Sequence, residues 1–198
     1  MKNLIIMLIN RFQNYYRIES ARAQWHDYAG GSYFITICTE NRECFFGEIM
    51  EMDGCNQLFL SEIGEYASIT IEDAPKHYLY AAIPTYVVMP NHIHLIAVVG
   101  MPASVETVHA PSLQGQNRWK NDIVDERMQK IARRKNKLSY LVGSIKSNIT
   151  HIANQNGIRF GWQPRFHDHI IRNLDEMNRI ANYIENNVAN WKTNRFYR

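Results

Sequence analysis

The sequence predicts an α+β fold of the ferredoxin-like, split βαβ kind, an antiparallel sheet with helices on one face and one extra helix at the C-terminal end. Three observations predict it. Short β-branched and aromatic runs alternate with stretches whose apolar residues recur at helical spacing, in the order strand, helix, strand, strand, helix, strand, helix. Pro90-Asn91 separates two adjoining strand-like runs and so marks a hairpin. The 198 residues, 45% apolar and 21% charged, suit one domain with a core and exclude disorder over the whole chain.

Residues 1–29 read as an N-terminal extension and 30–198 as the main domain. The apolar run 4–9 after Lys2 is far shorter than the ~20 residues of a membrane span. It also lies too far from Ala21-Arg22-Ala23 for the two to form a signal peptide, so a cytoplasmic protein is expected. The three cysteines, Cys38, Cys44 and Cys55, are odd in number and lack CxxC spacing, against a disulfide scaffold or a cysteine zinc site. Gly30-Gly31 is the turn before a strand at 32–39, and 41–47 is a connection. A short strand at 57–60 precedes a helix capped by Ser61, with Glu62 and Glu65 in its first turn and a stop near Pro75. The hairpin follows, with strands at 78–89 and 92–99. The polar stretch 100–137 reads as a long loop with a helical turn near 123–131 and a basic end. Leu138, Leu141, Val142, Ile145, Ile149 and Ile152 predict a helix over 138–154, ended by Gly157. A short strand at 169–171 comes next, and Asn173 caps a last helix reaching about Val188.

Four groups of residues carry chemistry. His92 and His94 stand at i and i+2 on a strand, so both imidazoles project to one face about 7 Å apart at the Cα. That spacing lets them share a divalent cation, with further ligands from elsewhere in the chain, from substrate oxygens or from water. The plainer alternative is two polar residues on a solvated strand face. On the last helix Tyr183 and Asn187 stand at i and i+4, placing a phenol and an amide oxygen on one face. There the alternative is a tyrosine packed on the sheet and an asparagine ending the helix. The run from Trp162 to Arg172 gathers His167, Asp168 and His169 between Arg165 and Arg172, which suit phosphate contact. A scattered set, Arg17, Arg22, Trp25, Tyr28, Arg118, Trp119, Lys120, Arg133, Arg134 and Lys135, combines charge with stacking surface in the manner of single-strand nucleic-acid binders. The net charge of +3 permits such a partner without demanding it. No P-loop, GxGxxG, GxSxG or HExxH motif is present.

The segments Tyr33-Phe34-Ile35-Thr36-Ile37-Cys38-Thr39, Met89-Pro90-Asn91-His92-Ile93-His94-Leu95, Phe166-His167-Asp168-His169-Ile170-Ile171-Arg172 and Tyr183-Ile184-Glu185-Asn186-Asn187 together resemble a known family. They are similar to the single-tyrosine transposases of the HUH endonuclease superfamily, most closely the REP-associated tyrosine transposases of bacteria, from about Arg17 to Trp191. The resemblance implies a metal-dependent single-stranded DNA endonuclease and strand transferase acting beside DNA hairpins. Tyr183 would attack a phosphodiester and hold the 5′ phosphate, freeing a 3′ hydroxyl. His92, His94 and Asn187 would hold Mg²⁺ or Mn²⁺, Asn at the third place being the REP-associated choice where the insertion-sequence branch has Gln. Arg22, Trp25, Tyr28, Arg133, Arg134, Lys135, Arg165 and Arg172 are the candidate DNA contacts. Hairpin DNA is the implied partner, and a monomer and a helix-swapped homodimer both stay open. The stretch 100–137 is longer than the family pattern, and Val188 stands where many members have Pro. The alternative is a domesticated hairpin-binding protein of the same fold without cleavage activity.

Overall fold

The computed structural model describes residues 11–12, 15–16, 30–100, 137–194 and 196–197. Arg11–Phe12 (β1) and Tyr15–Tyr16 (β2) pair as a small antiparallel ladder. The rest runs β3 (Gly31–Cys38), a 3₁₀ turn (Glu40–Arg42), β4 (Gly47–Met52), β5 (Cys55–Leu60), α1 (Glu62–His77), β6 (Ala81–Met89), β7 (His92–Val99), α2 (Lys137–Gln155), β8 (His167–Ile171), α3 (Leu174–Glu185) and a 3₁₀ turn (Trp191–Thr193). The main sheet has the order β6-β7-β3-β8 with every neighbouring pair antiparallel. Its first strand in the chain, β3, lies between the third and the fourth, which is the split βαβ arrangement the sequence predicts.

Alternation along the central strands builds two different faces. Tyr33, Ile35 and Ile37 of β3 and Ile93, Leu95, Ala97 and Val99 of β7 point to one side. There they pack with Ile63, Ala67 and Ile71 of α1 and with Leu138, Leu141, Val142, Ile145 and Ile149 of α2 in the main core. The opposite face carries Phe34, Thr36, Cys38, His92, His94 and Ile96. On it Ile184 of α3 joins Ile96 and Ile171 in a second cluster, while Trp191 and Phe196 join Cys38 and Met89 in a third. The helix bearing Tyr183 therefore lies across the sheet from α1 and α2.

Local chemistry sets the element ends. The Ser61 hydroxyl accepts from the Gly64 amide at 3.2 Å and donates to the Phe45 carbonyl at 2.6 Å, starting α1 as predicted. Gly64 is required there, because a Cβ would sit 2.1 Å from the Phe46 carbonyl oxygen. Pro75 falls in the last turn of α1, where the helix runs on to His77. β6 begins at Ala81 rather than 78, because the Ala81 amide closes a turn onto the Tyr78 carbonyl at 2.7 Å. Its register slips between Ala82 and Thr85, around Pro84, which cannot donate to a ladder. β4 follows the expected 41–47 connection, sharing only Gly47 with it, in a stretch given no element; its mostly exposed, mixed residues carry no alternating apolar signal, and it exists by pairing with β5. β8 starts at His167, two residues before the expected strand, through its pairing with β3. α3 stops at Glu185 rather than near Val188, because Asn186 caps it and turns its side-chain amide back onto the Asn182 carbonyl. Cys38 is buried, and Cys44 and Cys55 are exposed; none of the three is in a disulfide among the described residues. No helix among the described residues is long and apolar enough to cross a membrane. The predicted helical turn at 123–131 lies outside the described residues.

Candidate active site

The second sheet face holds two histidines side by side. Their ring centroids are 4.4 Å apart with planes at 72°, and both side chains are fully buried. Each has Nδ1 tied to a neighbour on the sheet. The Thr36 hydroxyl on β3, directly across from His94 in the register, lies 2.9 Å from His94 Nδ1. Asn91 Oδ1 lies 2.8 Å from His92 Nδ1. The Asn91 amide nitrogen donates to the Phe196 carbonyl at 2.9 Å, which leaves Oδ1 to accept from His92. His92 thus carries its proton on Nδ1 and presents a lone pair at Nε2. In the same tautomer, His94 donates Nδ1–H to Thr36 and presents Nε2 as well.

Tyr183 reaches this pair from α3. Its hydroxyl lies 3.5 Å from His94 Nε2, at the outer limit of a hydrogen bond. Its ring stands edge-on to Phe34 with centroids 6.1 Å apart, and the residue is 42% exposed, so the phenol also faces solvent. Asn187 sits past the helix end, buried, with its amide N–H bonded to the Ile184 carbonyl. Its Oδ1 accepts from Asn194 Nδ2 at 2.8 Å, and its Nδ2 has no hydrogen-bond partner among the described residues. α3 ends at Glu185, so Asn187 stands in the turn beyond it, buried where Tyr183 is half-exposed, and the two still line one hollow together with Asn190, Thr193 and Asn194.

The C-terminal segment roofs the histidines. Phe196 stacks on His92 at 4.3 Å and meets His94 at 5.6 Å, and Trp191 stacks on His92 at 6.1 Å. The β4–β5 hairpin braces this segment through Lys192–Glu51 at 2.5 Å and through Asn56, whose amide donates to the Ala189 carbonyl. The same ion pair holds the exposed Glu51 carboxyl below its usual range.

Comparison with known proteins adds relatives. Over 188 residues the chain is 30% identical to an uncharacterized protein of Haemophilus influenzae, covering 90% of this chain and 92% of that one. The chain belongs to the family of that Haemophilus protein. No family model matches the chain. Among solved structures it is similar to a REP-associated tyrosine transposase bound to a REP hairpin, with a TM-score of 0.48 and 19% identity over 88% of this chain and 74% of that one.

The remaining candidate residues fall into two groups. Arg22, Trp25, Tyr28, Arg133, Arg134 and Lys135 lie outside the described residues, as do Arg17, Arg118, Trp119 and Lys120. Arg165 and Arg172 are exposed at the two ends of β8. The Arg165 carbonyl accepts from Lys146 Nζ at 3.0 Å, as does the Gln163 carbonyl. Burial of that ammonium pushes the Lys146 pKa down. The Arg172 amide donates to Glu176 at 2.9 Å. That bond and His169, 2.8 Å from the same carboxylate, hold Glu176 below its usual range. His167 and His169 share a face, as predicted, opposite Thr36 and Phe34. Among the described residues no three His, Cys, Asp or Glu side chains converge as a metal cluster. Sequence reasoning missed Thr36, Asn91, Phe196 and Arg42 as parts of this region. For Thr36 a signal existed: a hydroxyl on the first strand of the main sheet, which the split βαβ topology lays beside the histidine strand.

Proposed function

We propose that this protein is a metal-dependent single-stranded DNA endonuclease and strand transferase that works beside DNA hairpins through a tyrosine–phosphate intermediate. The observation that carries the reading is the placement of the Tyr183 hydroxyl 3.5 Å from Nε2 of His94, beside His92. The similarity to a transposase bound to a REP hairpin names a partner of the same chemical class.

The residues fit a divalent cation, Mg²⁺ or Mn²⁺. Both imidazoles have Nδ1 held by an outer partner, the arrangement that orients Nε2 as a ligand. Oδ1 of the buried Asn187 has a second lone pair beyond the one that accepts from Asn194. Nε2 of His92, Nε2 of His94 and Oδ1 of Asn187 would hold the ion, leaving further positions for phosphate oxygens and water. When bound, it supplies Lewis-acid polarisation of the scissile phosphate.

The chain's own residues do the rest. The Tyr183 oxygen forms a bond to phosphorus as the bond from phosphorus to the 3′ oxygen breaks. The phenol proton leaves to solvent, and the departing 3′ oxygen takes one up. A phosphodiester is exchanged for a phosphodiester, so rejoining needs no external energy source. β3 and β7, the two central strands, hold the histidines rigidly while Tyr183 rides on the half-exposed α3. The burial of both histidines under Phe196 favours a second reading, a hairpin-binding protein without cleavage.

The test uses labelled hairpins with single-stranded flanks, drawn from the DNA on either side of the gene, with Mg²⁺ or Mn²⁺. The native protein is expected to form a denaturation-resistant adduct, and Tyr183→Phe is expected to bind equally and form none. An adduct that survives the substitution refutes the assignment of Tyr183. Tight hairpin binding without cleavage under either metal selects the second reading.

A further inference from the structure

The histidine-bearing face of the sheet is covered on one side and open on the other. α3 packs against β6 and β7 and reaches Ile171 at the far end of β8. The β3–β8 side holds a cavity of about 280 Å³ lined by Phe34, Thr36, Arg42, Gln163, His167 and His169, with Phe196 as one wall. The register makes this cavity continuous with the histidine pair. Val87, His94, Thr36 and His167 lie opposite one another across four strands, so Thr36 touches His94 on one side and lines the cavity on the other. Phe34 likewise lines the cavity while meeting both Tyr183 and His94.

The lining mixes flat, cationic and anionic groups, with Asp168 supplying a carboxylate and Cys38 a thiol. Phe34 and the imidazoles of His167 and His169 offer flat surfaces. Arg42 brings a cation, held 5.0 Å over the Phe196 ring. The backbone spends strain to place it: Asn41 and Arg42 are consecutive non-glycine residues in the left-handed region, at φ 49° and 56°. A second hollow, lined by Glu40, Asn41, Arg42, Gln163 and Pro164, shares Arg42 and Gln163 with the first.

We propose that this β3–β8 cavity binds one unpaired nucleotide of the DNA strand, next to the phosphate presented to Tyr183, with Arg42 on a backbone phosphate and the base against Phe34 and the β8 histidines. The inference rests on the reading of Tyr183 as nucleophile for the direction in which the strand runs. The contact with Arg42 can be measured without it. Stacking plus a phosphate contact is the way unpaired strands are held, whereas a duplex offers no exposed base face.

The test is binding of fluorescein-labelled dT₁₂ to the full chain over a range of salt concentrations, with adduct formation on hairpin substrates run in parallel. Arg42→Gln is expected to weaken dT₁₂ binding several-fold and to flatten the slope of log K against log salt by about 0.7, the loss of one single-strand phosphate contact. Arg42→Lys should restore the slope, and His167→Ala should weaken binding without changing it. Melting curves check that each variant folds. A slope unchanged in Arg42→Gln, or changed equally in Arg42→Lys, overturns the proposal. If that happens while the Tyr183 adduct persists, the nuclease reading stands alone. If the slope shifts but no adduct forms, the cavity stands and the nuclease reading falls.

Discussion

Thr36→Val isolates the hydroxyl that holds His94. Valine keeps the shape and strand preference of threonine, so the substitution removes little but Oγ1, 2.9 Å from His94 Nδ1 at a site 2% exposed. Taking away one partner of a buried hydrogen bond costs about 1–3 kcal/mol, because the other loses a bond that water cannot replace. For a chain of this length that lowers Tm by roughly 2–12 °C. If His94 is a ligand through Nε2, losing the group that orients it costs about 10- to 100-fold in metal affinity, or roughly 1.4–2.7 kcal/mol. Calorimetric titration with MnCl₂ reads the affinity, melting by circular dichroism reads the stability, and adduct yield reads the chemistry. Thr36→Ser retains the hydroxyl and should keep Mn²⁺ affinity close to native despite the lost methyl. A Thr36→Val protein that melts lower yet binds Mn²⁺ as tightly as the native chain would show that this bond only braces the strand. An unchanged Tm would remove the bond itself from consideration.

Two further outcomes are expected. The Tyr80 hydroxyl is buried without a hydrogen-bond partner among the described residues, and burial pushes its pKa up to about 12. Its folded pKa exceeds the unfolded value, so its contribution is complete below about pH 10 and is lost as pH rises toward 12, amounting to at most about 3 kcal/mol. Tyr80→Phe should hold or raise Tm by removing the unsatisfied hydroxyl, and should delete a late-titrating tyrosine from the ultraviolet titration; a clear loss of stability at neutral pH would contradict it. Phe196→Ala should uncover the histidine pair, whose side chains are fully buried beneath that ring. Mass spectrometry should find His92 and His94 modified several-fold faster by diethyl pyrocarbonate, and equal rates would mean that another part of the chain shields them.

Much of the fold was legible because its signals are local. The Ser61 and Asn173 caps, the apolar stripe of α2 and the Pro90-Asn91 turn each depend on a few neighbouring residues, and each of these features stands where the sequence puts it. β4 was illegible, since its mostly exposed residues owe their strand to pairing with β5 rather than to any pattern of their own. The end of α3 was misplaced because Asn186 turns its side chain onto the preceding turn, a choice that helical periodicity does not report. Within the site, strand alternation alone brings His92 and His94 to one face.

The rest of the site was decided by contacts between residues far apart in the chain. That Thr36 meets His94, that Asn91 grips both His92 and the Phe196 carbonyl, and that Tyr183 arrives beside the pair all follow from sheet register and the docking of α3. What the sequence determined by itself is therefore the order of the main-sheet strands and their helices, their faces and the types of reactive group. Tertiary structure alone decided which of those groups meet and which side of the sheet stays open, because a strand's period sets where a side chain points and only its partners in space set what it touches.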